Sequence, residues 1–161
     1  MPTAGGSEPE QAKLERSAYC GRTWVTRAGL KVDRMASAWL IRRFIDPAAV
    51  FAFVPAKGFE PAAGELRFDM LGAEFTHEGD RCTFEVLVRR FGLDDPALRA
   101  LAEIIHDIDV KDAKYGREEA PGIGQVVAGI AASDHDDEAR RVRGAALFDD
   151  LYAVHGGAAR H

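Results

Sequence analysis

The run Phe75-Thr-His-Glu-Gly-Asp-Arg-Cys-Thr-Phe-Glu85, with the later segment Glu103-Ile-Ile-His-Asp-Ile-Asp-Val-Lys-Asp112, spans the point at which the chain changes periodicity. Ala73 to His77 reads as a short strand after Gly72. From Thr83 onward Phe84, Leu87, Val88 and Phe91 recur three or four residues apart, the spacing of one helical face. Gly92 closes that helix. Asp95 and Pro96 open the next, an N-cap followed by a first-turn proline, with Leu98, Leu101, Ile105 and Ile108 as its buried stripe. Strand patterns before this run and helical patterns after it predict an α+β fold: a helix-rich single domain with a small β-sheet from the N-terminal half.

Working outward, Thr23 to Arg27 and Val50 to Val54 are β-branched and aromatic and read as strands, and Glu65 to Met70 alternates apolar and polar. Between the first two, Asp33 is placed to cap a helix from Arg34 to Ile45, stopped by Pro47. Apolar residues go almost all the way round that helix, which predicts cover on several sides and half-buried positions for Arg34 and Arg42. Toward the C-terminus Ile123, Val126, Val127 and Ile130 keep the helical spacing. A last helix from about Asp136 to Tyr152 carries Val142, Leu147, Phe148 and Leu151. Residues 1–18 and 156–161 are expected to be disordered tails around a domain at 19–155, because they hold few large apolar side chains to offset the entropy of ordering.

The 161 residues fit one domain, and 47% hydrophobic with 29% charged residues is ordinary for a folded globular chain. No window approaches 18 uninterrupted apolar residues, and the N-terminus lacks the basic and apolar regions of a secretory signal, so the expectation is a cytoplasmic chain with no membrane segment. Cys20 and Cys82 are too few for a disulfide framework. A net charge of −5 argues against a broad nucleic-acid footprint, so no direct nucleic-acid binding is expected of this chain alone; a local pocket for a small anion is compatible with it.

The chemistry concentrates in two stretches. Arg27, Lys31 and Arg34 lie where a strand turns into a helix N-terminus, and orphan amides and the positive end of the helix dipole favour an oxyanion there. The competing reading solvates Arg27 and Lys31 and pairs Arg34 with a carboxylate such as Asp69. His77, at the rim of the sheet, is a candidate fourth anion contact or a metal ligand. Eight carboxylates lie between His77 and Asp109, and His77, Glu85, His106 and Asp109 form a chemically reasonable set for a hard metal or zinc, with no diagnostic spacing. Asp109 is the carboxylate expected to be most buried there, whereas Glu103, pointing away from the stripe with Arg99 four residues before it, reads as surface. Cys82 precedes a helix whose dipole lowers a thiol pKa, which makes it a candidate redox thiol against the commoner buried, inert cysteine. Gly122-x-Gly124 follows no strand and leads into an apolar helical stripe, so no nucleotide cofactor is expected. A divalent metal ion of unspecified identity is the one cofactor the sequence admits.

Four separated motifs carry a resemblance. Arg27-x-x-x-Lys31-x-Asp33-Arg34-x-x-Ser37-x-Trp39-Leu-Ile-Arg-Arg-Phe, Phe68-Asp69, His77-x-x-x-Arg81-Cys82-Thr83-Phe84-Glu85 and Ile105-His-Asp-Ile-Asp109-x-Lys-Asp112 together resemble the C-terminal domain of the chromate-resistance protein B (ChrB) family, from about residue 22 to 153. The resemblance implies a chromate-responsive domain of a bacterial chromate-resistance system. Longer members act as chromate-sensing transcriptional regulators, with an additional N-terminal region held responsible for DNA binding. The expectation is a stand-alone sensor or accessory protein that binds chromate or a similar tetrahedral oxyanion through Arg27, Lys31, Arg34 and His77, with room for a protein partner or homo-oligomer. The alternative is a metal-dependent enzyme, hydrolytic or redox, with Glu85 or Asp109 as general base.

Overall fold

A computed structural model of the protein describes residues 12–158. Three parallel strands, β1 (Thr23–Arg27), β2 (Val50–Val54) and β3 (Leu66–Arg67), form one sheet in the order β2-β1-β3. Five α-helices follow or interrupt them: α1 (Val32–Leu40), α2 (Thr83–Arg90), α3 (Pro96–Asp109), α4 (Ala120–Ser133) and α5 (Asp137–Val154). The fold is α+β and helix-rich. Among the described residues, no helix is long and apolar enough to cross a membrane.

β1 is the central strand, so Trp24, Val25 and Thr26 are all buried and the usual alternation of inward and outward residues is lost. Its register puts Trp24 opposite Phe51 of β2 and Leu66 of β3. The strand expected over Ala73 to His77 is reduced to a single bridge between Phe75 and Phe68. Phe75 instead gives its ring to an aromatic cluster with Tyr19, Trp24 and Phe91.

Every residue of α1 is buried, as its nearly continuous apolar wheel predicts, because α1 packs against α2, α3 and α5. Arg34 is buried with it, but Arg42 is exposed. The helix passes into a π-turn, Ile41–Ile45, and ends at Asp46. That buried carboxylate accepts from the Gly21 and Arg22 amides (2.7 and 2.9 Å) and the Trp24 indole (3.0 Å), tying the helix end to the start of β1. Gly144 of α5 faces Met35 of α1 so closely that a Cβ would lie 2.8 Å from the Met35 Cγ.

The expected N-terminal tail falls partly outside the described residues. Within them, Arg16–Tyr19 forms a 3-10 turn, Leu14 N donates to Arg90 O at 2.9 Å and Leu14 packs against the core. At the other end Ala158 O accepts from Arg43 at 2.8 Å, so residues 156–158 lie against the body; 159–161 are outside the described residues.

Candidate functional site

All three strands run the same way, so their C-terminal ends share one edge. From β1 the chain passes to β2 on one side, then crosses to β3 on the other, and open parallel sheets bind ligands outside strand ends where the connections diverge in this manner. Arg27 to Lys31 leave β1 at that edge, and Phe68 to Met70 leave β3.

Arg34, in the first turn of α1, fastens this edge. Its Nη1 donates to the carbonyls of Arg27 (3.1 Å), Ala28 (3.3 Å) and Gly29 (3.1 Å), and its Nε lies 3.3 Å from Asp69 Oδ2. Burial, then the neighbouring Arg27 charge, lowers its pKa against the pull of Asp69. The pairing with Asp69 is the competing reading that the sequence offered. Asp69 itself adopts a left-handed backbone (φ 49°) and accepts from the Thr83 hydroxyl at 3.1 Å.

Asp33 does not cap its own helix. Lys31 is the N-cap of α1 and no side chain caps it. From the first turn of α1, the Asp33 carboxylate reaches across to α2 and accepts from the Thr83 and Phe84 amides, both at 2.9 Å. It therefore caps a helix 50 residues away in sequence. Burial, then the charges of Asp69 and Asp109, push its pKa up to about 7 against those two amides.

Beside this buried knot lies an open groove of about 580 Å³, bounded by Lys31, Val32, Asp109, Lys111, Gln125 and Val127 among others. Asp109, expected to be the most buried carboxylate of α3, is exposed at the end of that helix. The surrounding protein and the Asp69 charge still raise its pKa, with Arg34 opposing. Among the described residues, no hydrogen bond or ion pair holds the side chains of Arg27, Lys31, His77 or Lys111. Arg27 and Lys31 are exposed, Lys31 at the groove; His77 is exposed in the loop between β3 and α2.

A second cluster forms where α2, α3 and the loop after α3 meet. His106 is completely buried, yet its Nδ1 lies 2.6 Å from Glu85 Oε1 and its Nε2 lies 3.0 and 3.1 Å from the two oxygens of Asp112. Burial depresses the imidazolium, the two carboxylates more than compensate, and the His106 pKa is raised. Its hydrogen bond to His106 lowers that of Asp112. Glu85 also accepts from the Cys82 amide (2.9 Å) and from the Tyr115 hydroxyl (3.4 Å). Lys111 and Ala113, on either side of Asp112, have positive φ (62° and 54°). With Asp69 they are the positive-φ residues other than glycine among those described, and backbone strain of this kind gathers at functional sites.

The structure thus divides the expected metal set. Glu85 and His106 are together, His77 is in an exposed loop, Asp109 faces the groove, and Asp112 joins as the carboxylate that sequence reasoning left out of the set. Glu103 pairs with Arg117 at 3.0 Å, and Arg99 with Asp94 instead. Cys82 is buried at 1% exposure, and burial and the Asp33 charge raise its thiol pKa, outweighing the dipole effect that would favour thiolate. Its setting is that of the inert cysteine.

The profile described as "ChrB, C-terminal domain" matches residues 24–155, which contain both clusters and the groove. The chain belongs to the ChrB family. Protein ChrB of Cupriavidus metallidurans is 45% identical over 135 residues, 83% of this chain and 41% of that protein, so the chain spans less than half of this relative's length. No solved structure matches significantly. The ChrB match begins within β1 and reaches just beyond α5, leaving the Arg16–Tyr19 turn outside it.

Proposed function

We propose that this domain binds chromate, or a tetrahedral oxyanion like it, in the groove between the start of α1, the end of α3 and α4, as the responsive part of a chromate-resistance system. The reading rests on one observation: Lys31 and Lys111 line that groove with no hydrogen-bonded or ion-paired partner among the described residues. Two ammonium groups match the charge of a dianion, and the adjoining N-terminus of α1, which no side chain caps, adds favourable dipole. Gln125 supplies a neutral donor, and the carboxylate of Asp109 at the groove lies within electrostatic reach of Lys111. Arg27 stands at the same sheet edge. Arg34 contributes by holding the β1–α1 loop that carries Lys31, since its guanidinium is engaged by three backbone carbonyls and Asp69. A ligand spanning Lys31 and Lys111 would connect α1 with the loop after α3, which suits a sensor.

Another groove, of about 340 Å³ and lined by arginines between α5 and the C-terminal end of α1 with the π-turn after it, is less suited. Its Arg43 and Arg141 are bound to Asp149 and Glu138.

The test is calorimetric titration of chromate, and of sulfate as comparison, into wild type and Lys31→Met/Lys111→Met at fixed ionic strength. Loss of each charge-assisted contact should weaken binding roughly tenfold. Equal affinity in the double variant would exclude this groove.

A further inference from the structure

We propose that His106, Asp112 and Asp107 form a divalent-cation site, with His106 Nε2 and one oxygen from each aspartate as ligands and Glu85 as the carboxylate that orients the imidazole. This site is separate from the oxyanion groove and does not depend on it.

The argument begins with the two nitrogens of one ring. A histidine that binds a metal through one nitrogen commonly donates its other N–H to a carboxylate, which fixes the tautomer and the direction of the free lone pair. Glu85 Oε1, 2.6 Å from Nδ1, is in that position, and Glu85 is itself held by the Cys82 amide. The imidazole is wholly buried and stands edge-on to the Tyr115 ring, 5.1 Å between centroids, so it has little freedom to turn. Its Nε2 is thereby directed at Asp112.

The distances suit a shared ion. Two ligand atoms bound tetrahedrally at about 2.0–2.1 Å are roughly 3.3 Å apart, and Nε2 already lies 3.0 and 3.1 Å from the Asp112 oxygens. A small outward shift of Asp112 would admit the ion. Ligand atoms of His106, Asp107 and Asp112 all fall within 4.8 Å of one another. The Asp107 oxygens accept from the Tyr115 and Arg117 amides (3.1 and 2.8 Å), which orients them and leaves lone pairs free.

The protein ligands are then one imidazole and two carboxylates, with solvent completing the shell on the Asp112 side, where the side chain is 40% exposed. One nitrogen and two oxygens suit a first-row divalent ion such as zinc, cobalt or manganese. Binding would pin the loop after α3 to the His106 turn of α3, and so also set the position of Lys111.

The test uses the tag-free, chelator-treated 161-residue chain, titrated with zinc by calorimetry and with cobalt by visible absorption. Wild type should bind one equivalent, with a cobalt spectrum of low coordination number. Asp112→Asn should weaken zinc at least tenfold, and Glu85→Gln, which preserves the bond to the Cys82 amide, should weaken it about 10- to 100-fold. His77→Gln should leave affinity unchanged. His106→Gln should abolish binding; should that buried substitution prevent folding, Asp112→Asn in its exposed loop carries the test alone. Absence of zinc binding by wild type, or undiminished affinity in Asp112→Asn, would overturn the proposal and leave His106 as a buried ion-pair bridge.

Discussion

Two polar clusters reach the first turn of α2 and have nearly the same composition, one cationic side chain between carboxylates, yet they end on different atoms. In the first, Arg34 spends its Nη1 on three backbone carbonyls and Asp33 its carboxylate on two backbone amides. In the second, the His106 imidazole meets only side chains, Glu85 and Asp112, although each of those carboxylates also accepts from one backbone amide, of Cys82 and Lys114. Groups satisfied by backbone have little to offer an incoming ligand without local unfolding, whereas a junction of side chains can open by rotamer changes. This contrast marks the first cluster as a strut and is why the second is the one proposed to exchange its contacts for a ligand. The proposed ligand chemistry belongs to the second cluster and to the exposed cations beside the first.

The comparison breaks most visibly at Arg34. Arg34→Ala leaves Asp69 and three carbonyls without their partner and should lower unfolding free energy by about 3–5 kcal/mol in urea titrations. Arg27→Ala, at the same sheet edge but exposed, should stay within about 0.5 kcal/mol of wild type. If the two variants were equally stable, the strut assignment would be wrong.

Asp33→Ala removes the inter-helix cap and should cost about 2 kcal/mol by the same measurement. The pH dependence sharpens this. Because the folded pKa of Asp33 is raised from 3.8 to about 7, the native state binds the extra proton between those values. Its contribution to stability is then fully present below about pH 4 and declines as pH rises through about 7. Wild type measured at pH 5 and pH 7.5 should lose stability relative to Asp33→Asn, and a relative gain would contradict the assigned shift. The smallest effect is at the thiols: with Cys20 exposed and Cys82 buried, a thiol reagent should titrate Cys20 in native protein and both in urea. Rapid native modification of Cys82 would restore the redox reading.

The fold was legible wherever side-chain periodicity and burial coincide. The β1 and β2 spans, the Asp95–Pro96 start of α3 and the Phe84/Leu87/Phe91 stripe all follow from local pattern. Asp33 marks the limit of such reasoning. Its residue type correctly signals a helix cap, but the helix it caps is chosen by tertiary packing that no local window contains. Asp112 was missed for a related reason: it lies beyond the end of α3, where a helical wheel no longer assigns direction, and the positive φ of Lys111 is what turns it back toward His106. Lys111 came to the groove by the same turn. Asp109 was misjudged because the wheel ranks faces and not ends, and the last residue of a helix keeps its solvent whichever way it points.

The central claim is that the exposed cations at the groove, and not the buried Arg34, receive the oxyanion. Amide chemical-shift mapping on isotope-labelled protein during a chromate titration tests it most directly. The account predicts saturable shifts concentrated at residues 30–33, 108–112 and 124–128, absent in Lys31→Met/Lys111→Met. Shifts centred instead on Arg42, Arg43 and Arg141, or on the loop around His77, would contradict it.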